Sequence, residues 1–86
     1  MTQGIKHDSG KLRYDLIPPE IIEALAMLYT FGSHRYGENN WQGVEEHRYY
    51  AALMRHIEAH RKGESVDPDS GILHAAHAFW NAGAIC

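Results

Sequence analysis

The chain has 86 residues, of which 44% are hydrophobic and 22% charged, and a formal net charge of −3 at pH 7. A chain of this length forms one domain, 1–86, and its composition is that of a globular protein rather than a disordered tail. Only eight Lys and Arg residues in an acidic chain disfavour binding to long nucleic acid or to an anionic membrane.

Residues 1–17 show little periodicity and predict an ordered arm. The pair Pro18-Pro19 predicts the start of the first helix, because proline suits the first helical turn and apolar residues follow at three- and four-residue spacing. Gly32 is the predicted end of this helix. The glycines and asparagines that follow predict a long loop over residues 32–43.

Two further helices are predicted after this loop. Residues 44–62 form the second, with glutamates in the first turn and basic residues in the last. Asp67 and Pro68 predict the start of the third, as N-cap and first helical residue, and the helix runs to about residue 84. The fold class is therefore all-α: a small bundle of three main helices with an N-terminal arm and the 32–43 loop.

Small size predicts that the fold needs help. A chain this short buries only about 60–65% of the surface that its unfolded form exposes. Its single cysteine, Cys86, cannot form an internal disulfide. A ligand, a metal or a second subunit is expected to contribute, and the sequence predicts a homo-oligomer.

Seven histidines are unusually many for this length, and helical spacing brings four of them together. On the predicted third helix, Ser70, His74, His77 and Asn81 share one face. His56 and His60 lie near the end of the second helix. Because a short connection makes the two helices antiparallel neighbours, four imidazoles converge at one end of the hairpin.

Three interpretations of this cluster stay open. A divalent metal (Mg, Mn or Zn) could be held by imidazoles and a carboxylate, and the predicted set is His56, Asp69, His74 and His77. A phosphate could bind the imidazoles beside Arg55. The histidines could also simply pack and hydrogen-bond.

Cations occur beside aromatic residues in the arm, the loop and the second helix. Aromatic rings that stack on a base and cations that hold phosphates are what a nucleotide-sized ligand requires. The alternative is solvated surface charge. With the histidine cluster, the predicted ligand-binding residues are Lys6, Lys11, Arg13, Arg35, Tyr36, Asn40, Trp41, Arg55, His56, His74, His77 and Asn81.

Four segments, KHDSGKLRYDLIPPE, FGSHRYGENNW, ALMRHIEAHRKGE and DPDSGILHAAHAFWN, resemble a small, mostly phage-encoded family. It is the N-terminal domain of dATP/dGTP diphosphohydrolases, which is linked with MazG-like nucleotide pyrophosphohydrolases. The resemblance runs from about residue 6 to residue 85 and implies an all-α fold and purine deoxynucleotides as ligands. The positions that match its motifs are Lys6, Asp8, Gly10, Lys11, Arg13, Gly32, Arg35, Tyr36, Gly37, Asn40, Trp41, Arg55, His56, Gly63, Asp67, Gly71, His74, His77 and Asn81.

The sequence departs from the MazG-like pattern where those enzymes hold Mg²⁺. They carry an E-x-x-E and an E-x-x-D on two helices, whereas the corresponding places here read R-H-I-E-A-H and H-A-A-H. Oxygen ligands that Mg²⁺ prefers are largely missing from these places. Arg35 stands where the pattern has lysine, Asp69 where it has glutamate, and His60 lies outside the pattern.

The sequence therefore predicts a phage-type protein that binds a small phosphate-bearing nucleotide or a nucleotide-derived signal and sequesters it from host defence, with no cofactor required. The alternative is a metal-dependent pyrophosphohydrolase acting on dATP or dGTP, with Glu46 or Glu58 activating water. A third alternative is an accessory subunit with a structural zinc. No apolar run reaches membrane-spanning length and no signal-peptide core is present, so the cytoplasm, of the host cell if phage-encoded, is the expected location.

Overall fold

The computed structural model describes residues 4–86, and it confirms the all-α fold class. Three α-helices follow one another: α1 (Pro19–Tyr36), α2 (Glu46–Arg61) and α3 (His74–Ile85). Single 3₁₀ turns lie at Tyr14–Leu16 and Asn40–Gly43. Within the described residues, no helix is both long and apolar enough to cross a membrane.

The helix α1 is longer than the sequence predicted. Gly32 does not end it but lies inside it, and the helix continues for one further turn to Tyr36. The residue that ends it is Gly37, whose φ of 94° and ψ of 154° are accessible essentially only to glycine. Its N–H donates to the carbonyl of Ser33 at 3.0 Å. The predicted 32–43 loop is shortened accordingly.

The start of α3 differs from the sequence prediction by more residues than the end of α1 does. Asp67 was predicted as an N-cap, but α3 begins at His74. The Asp67 carboxylate instead accepts hydrogen bonds from the Ser70 N–H at 3.3 Å and the Ser70 hydroxyl at 2.9 Å. The chain then turns back at Gly71 (φ 74°), so that the Asp67 N–H donates to the Ile72 carbonyl at 2.9 Å. Asp-Pro is also a turn signal, and here the turn prevails over the helix start.

The three helices pack unequally. The helix α2 lies along α3, which is the most extensive helix contact, and α1 packs against α3 and the Asn40–Gly43 turn rather than against α2. Among the described residues, the buried apolar side chains are few: Leu28, Tyr49 and Ile72. Because α1 and α2 are joined mainly through α3 and the Asn40–Gly43 turn, a cleft separates α1 from α2.

Candidate functional site: a cleft between two helices

The cleft between α1 and α2 has a volume of about 1200 Å³. That volume is somewhat larger than the ~300–1,000 Å³ that is usual for small-molecule sites in proteins. Its walls come from the C-terminal half of α1, the 3₁₀ turn, residues 47–56 of α2 and one face of α3. Residues from four separate parts of the chain therefore share one concave surface.

Aromatic rings form the wall where α1, the 3₁₀ turn and α3 meet. The ring centroids of Tyr29, Trp41 and Trp80 lie 5.6 to 6.2 Å apart in edge-to-face pairs, and Tyr49 lies 5.7 Å from Trp80. The Tyr49 hydroxyl donates to the Trp41 carbonyl, which holds the 3₁₀ turn against α2. The buried indole N–H of Trp80 has no acceptor within residues 4–86. Such an unpaired donor typically costs about 1–3 kcal/mol, and an acceptor on a ligand would relieve that cost.

Three arginines line the cleft from opposite sides: Arg35 on α1, and Arg48 and Arg55 on α2. Arg35 lies 2.5 Å from an Asp69 carboxylate oxygen, and that hydrogen bond raises the pKa of the guanidinium. Within the described residues, Arg48 and Arg55 take part in no salt bridge, so their charge is available to an anion in the cleft.

Three histidines converge where α2 crosses the start of α3. The ring of His56 is stacked on that of His77 with centroids 4.3 Å apart. His56 Nδ1 lies 2.7 Å from His74 Nδ1, and His74 Nε2 lies 2.7 Å from a Glu64 carboxylate oxygen. His74 is buried, with 4% of its surface exposed. These contacts form a hydrogen-bonded chain from Glu64 through His74 to His56.

The Glu64 carboxylate determines which ring nitrogens of His74 and His56 carry protons. A carboxylate only accepts, so His74 Nε2 carries a proton and donates it to Glu64. When His74 is neutral, its Nδ1 is the acceptor and His56 Nδ1 is the donor. His56 Nε2 then presents a lone pair, and it has no partner within residues 4–86 and is not closed off from solvent. His56 also lines the cleft, and a ligand bound beside it would meet an imidazole in this tautomer.

Burial and the neighbouring imidazoles favour the neutral forms of His56 and His77. Burial, with His77 and His74 nearby, lowers the pKa of His56 to about 4. Burial also lowers the pKa of His77. Burial works to raise the pKa of Asp67, but the hydrogen bonds from Ser70 and the Asp69 N–H outweigh it and the pKa is lowered. At pH 7 neutral imidazoles therefore lie beside an ionised carboxylate.

Ser70 joins His77 to that carboxylate. Its hydroxyl lies 2.9 Å from Asp67 and 2.7 Å from His77 Nε2. Because the carboxylate only accepts, the hydroxyl donates to Asp67 and accepts from the Nε2–H of His77. Ser70 is thus oriented as a bridge and not as a nucleophile with a neighbouring base.

The cleft brings together most of the residues predicted from the sequence to bind a ligand. Those that line it are Arg35, Tyr36, Asn40, Trp41, Arg55, His56, His77 and Asn81. His74 lies behind His56. Lys6, Lys11 and Arg13 belong to the arm and do not line the cleft, and Arg13 pairs with Asp15 at 2.8 Å. Of the predicted catalytic residues, Glu46 lies in a smaller depression and Glu58 pairs with Arg61, both outside the cleft. His60 is exposed at the end of α2.

Ligand atoms of the predicted metal set already take part in other contacts. The set is His56, Asp69, His74 and His77. Both ring nitrogens of His74 are hydrogen-bonded, and one Asp69 oxygen pairs with Arg35. Over residues 4–86, no three His, Cys, Asp or Glu side chains are grouped as metal ligands. As they stand, these side chains do not fit a metal. The metal set stays a prediction that requires them to rotate out of these bonds.

Three residues of the site were missed as site residues by sequence reasoning. Arg48 lies two turns before Arg55 on the same face of α2, and this seven-residue spacing could have identified it. Trp80 lies among the apolar residues of α3 and gives no separate signal of a site, although it lines the cleft. Glu64 carries no local signal, because only the turn that follows α2 brings it to His74.

Comparisons with known proteins agree with the resemblance seen in the sequence. A family model described as dATP/dGTP diphosphohydrolase, N-terminal, matches residues 1–86. A protein of Salmonella phage PMBT28 named dATP/dGTP diphosphohydrolase is 40% identical over 75 residues, which are 87% of this chain and 26% of that protein. The chain thus spans about a quarter of the length of this relative. No solved structure matches the chain.

Proposed function

Because the chain belongs to the dATP/dGTP diphosphohydrolase N-terminal family, we propose that the cleft between α1 and α2 binds a purine deoxynucleotide phosphate. The observation that carries the proposal is the shared concave surface of unpaired arginines and aromatic rings. The relative's name supports the choice of dATP or dGTP over other nucleotides.

The positive charge in the cleft supports the binding of a phosphate group near α2. Arg48 and Arg55 make no salt bridge within the described chain, whereas Arg35 is partly neutralised by Asp69. A guanidinium binds phosphate oxygens through paired N–H donors and keeps its charge at any physiological pH. We therefore assign the phosphate contacts to Arg48 and Arg55, with Arg35 closing the cleft from α1.

The aromatic wall supports the binding of the nucleotide's purine base in the part of the cleft that these rings line. Stacking on an aromatic side chain contributes about 1–3 kcal/mol per base. Trp41 and Tyr36 are the rings assigned to this contact, and the Trp80 N–H is the donor assigned to an acceptor atom of the base. Asn40 and Asn81 add directional amide groups, and His56 Nε2 is the acceptor assigned to an N–H of the ligand.

Titration calorimetry of the full chain with dATP and dGTP, and with dCTP and dTTP for comparison, tests the proposal. We expect the purines to bind more tightly, and Arg55→Ala to weaken binding by about 10- to 100-fold, because one charge-assisted contact is worth about 1.5–3 kcal/mol. Lys62→Ala, also a cation removed near α2 but outside the cleft, is the matched control and should bind as the wild type does. Absence of binding to all four nucleotides would contradict the proposal.

What happens to the bound nucleotide separates two functions. In the first, the protein holds the nucleotide, or a signal derived from one, intact and sequesters it from host defence in the cytoplasm of the infected cell. In the second, the nucleotide is hydrolysed to a monophosphate and pyrophosphate, and the relative's name favours this function. Because His56 lines the cleft whereas Glu46 and Glu58 do not, we assign the role of taking a proton from water to His56.

Incubation with dATP or dGTP, alone and with Mg²⁺, Mn²⁺ or Zn²⁺, decides between these functions. Recovery of unchanged nucleotide from denatured protein supports sequestration. Release of pyrophosphate that is lost in His56→Gln, but kept in the exposed control His60→Gln, supports hydrolysis.

A further inference from the structure

The accessible surface of the chain is too large for its mass. The chain exposes 7065 Å², whereas a compact protein of 9.8 kDa exposes about 5200 Å². The radius of gyration is 16.9 Å, against about 12 Å for a compact domain of this length. Roughly 1900 Å² of excess surface per chain exceeds the ~800 Å² per partner that a standard stable interface buries.

The arm accounts for part of this surface. Four of its apolar side chains are at least two-thirds exposed: Ile5 (84%), Leu12 (77%), Tyr14 (74%) and Leu16 (68%). The hydrogen bonds and the ion pair of residues 4–17 are local, such as the Arg13–Asp15 pair. The Tyr14–Leu16 turn of the arm makes no extensive contact with any of the three helices.

The outer face of α2 is a second unpartnered apolar surface. Tyr50, Met54 and Ile57 recur at four- and three-residue spacing, so they form one stripe. They are 48%, 65% and 43% exposed. The stripe faces away from Ala52 and Arg55, which line the cleft, so a partner on it would leave the cleft open.

We propose that a second copy of this chain covers both surfaces, with the arm of each copy lying along the Tyr50–Met54–Ile57 stripe of the other. Fourteen arm residues, 4–17, can span about 45 Å, and the sixteen residues of α2 are about 24 Å long. The arm is therefore long enough to follow the whole stripe. A two-fold exchange buries both arms and both stripes in one closed dimer.

Charge at the edges of the two surfaces is complementary. Glu46 and Glu58 flank the stripe on α2, and of the two only Glu58 forms a salt bridge within the described residues, with Arg61. Lys6 and Lys11 are exposed on the arm and form no salt bridge within residues 4–86. An apolar centre with a charged rim is the usual composition of a protein interface. The inference concerns residues that do not line the cleft, and it does not depend on what the cleft binds.

Sedimentation of the full chain over a range from 1 to about 200 μM tests the proposal. We expect twice the 9.8 kDa monomer mass at the upper end for the wild type. Met54→Glu and Leu12→Glu should each sediment as monomers at concentrations where the wild type is dimeric. Met27→Glu, which makes the same change at a 47% exposed position on α1, is the matched control and should remain dimeric.

Circular dichroism checks that the variants keep their helix content. Leu12 lies outside every helix, so its replacement does not unfold a helix directly. Amide exchange adds a local readout: residues 11–17 should exchange at least 10-fold more slowly in the concentrated wild type than in the dilute one. A wild type that stays monomeric throughout the range would overturn the proposal, and so would a dimer that survives both Met54→Glu and Leu12→Glu.

Discussion

The orientation of each imidazole in the cluster is fixed by whether its neighbour donates or accepts a hydrogen bond. Glu64 requires a proton on His74 Nε2, and the 2.7 Å contact between His74 and His56 holds one proton between the two Nδ1 atoms. His77 donates to Ser70 at 2.7 Å. At the scale of single residues, the histidines are therefore oriented before any ligand enters the cleft.

The lowered pKa of His56 makes stability depend on pH. In the unfolded chain a histidine titrates near 6.5, whereas His56 in the folded chain has a pKa of about 4. Between these values the unfolded state binds more protons, so the free energy of unfolding falls as pH drops from about 6.5 towards 4. Above pH 7 this contribution is fully present.

Urea titrations at pH 7 and pH 5 measure the effect. The urea midpoint of the wild type should fall between these values, and that of His56→Gln should fall less. The fall that remains in the variant is assigned to His77, whose pKa is also lowered. His60→Gln, an exposed histidine of the same helix, should behave as the wild type. Equal falls in all three proteins would refute the assignment.

The end of α1 is decided by a single backbone conformation. Gly32 has helical neighbours on both sides, whereas Gly37 has a φ of 94°. Open space surrounds the position that a Cβ would take at either glycine. The two positions therefore differ in backbone conformation and not in packing.

Alanine at these two glycines should have opposite effects. Gly32→Ala should stabilise the protein by about 0.5–1 kcal/mol, because alanine is the better helix former. Gly37→Ala should destabilise it by about 1–3 kcal/mol, because alanine is strained in that conformation. Urea unfolding monitored by circular dichroism measures both. A loss of stability at Gly32 or a gain at Gly37 would show that α1 ends elsewhere in solution.

At the scale of the whole molecule, α3 is the main link, since the most extensive helix contacts of both α1 and α2 are with it. A ligand that contacts Arg35 on α1 and Arg55 on α2 would add a direct link between them. Binding to the folded state at 100 times Kd adds about 2.7 kcal/mol of stability. In a domain of this size that corresponds to a rise in Tm of roughly 10–20 °C.

Thermal unfolding with and without dATP tests this link. The rise in Tm should be smaller in Arg55→Ala and unchanged in Lys62→Ala. A rise of the same size in Arg55→Ala would place the nucleotide outside the cleft.

How far the sequence predicts this molecule can be judged from particular residues. It identified three helices because apolar spacing and terminal charges act within one segment. It misplaced the ends at Gly32 and Asp67, because glycine inside a helix costs only about 1 kcal/mol and the Asp67 carboxylate had competing donors in its own turn. Seven-residue spacing could have added Arg48, but no local pattern points to Glu64.

The fold class, the family and the residues that share a helix face follow from the order of amino acids, since helical periodicity and motif order are local properties. Which faces meet is a different matter. The cleft exists because α1 packs mainly on α3 and not along α2. The exposed arm and the α2 stripe are recognised only once the packed surfaces are known. Those outcomes depend on competition among apolar faces for the same partner helix, and only the tertiary structure shows which contact forms.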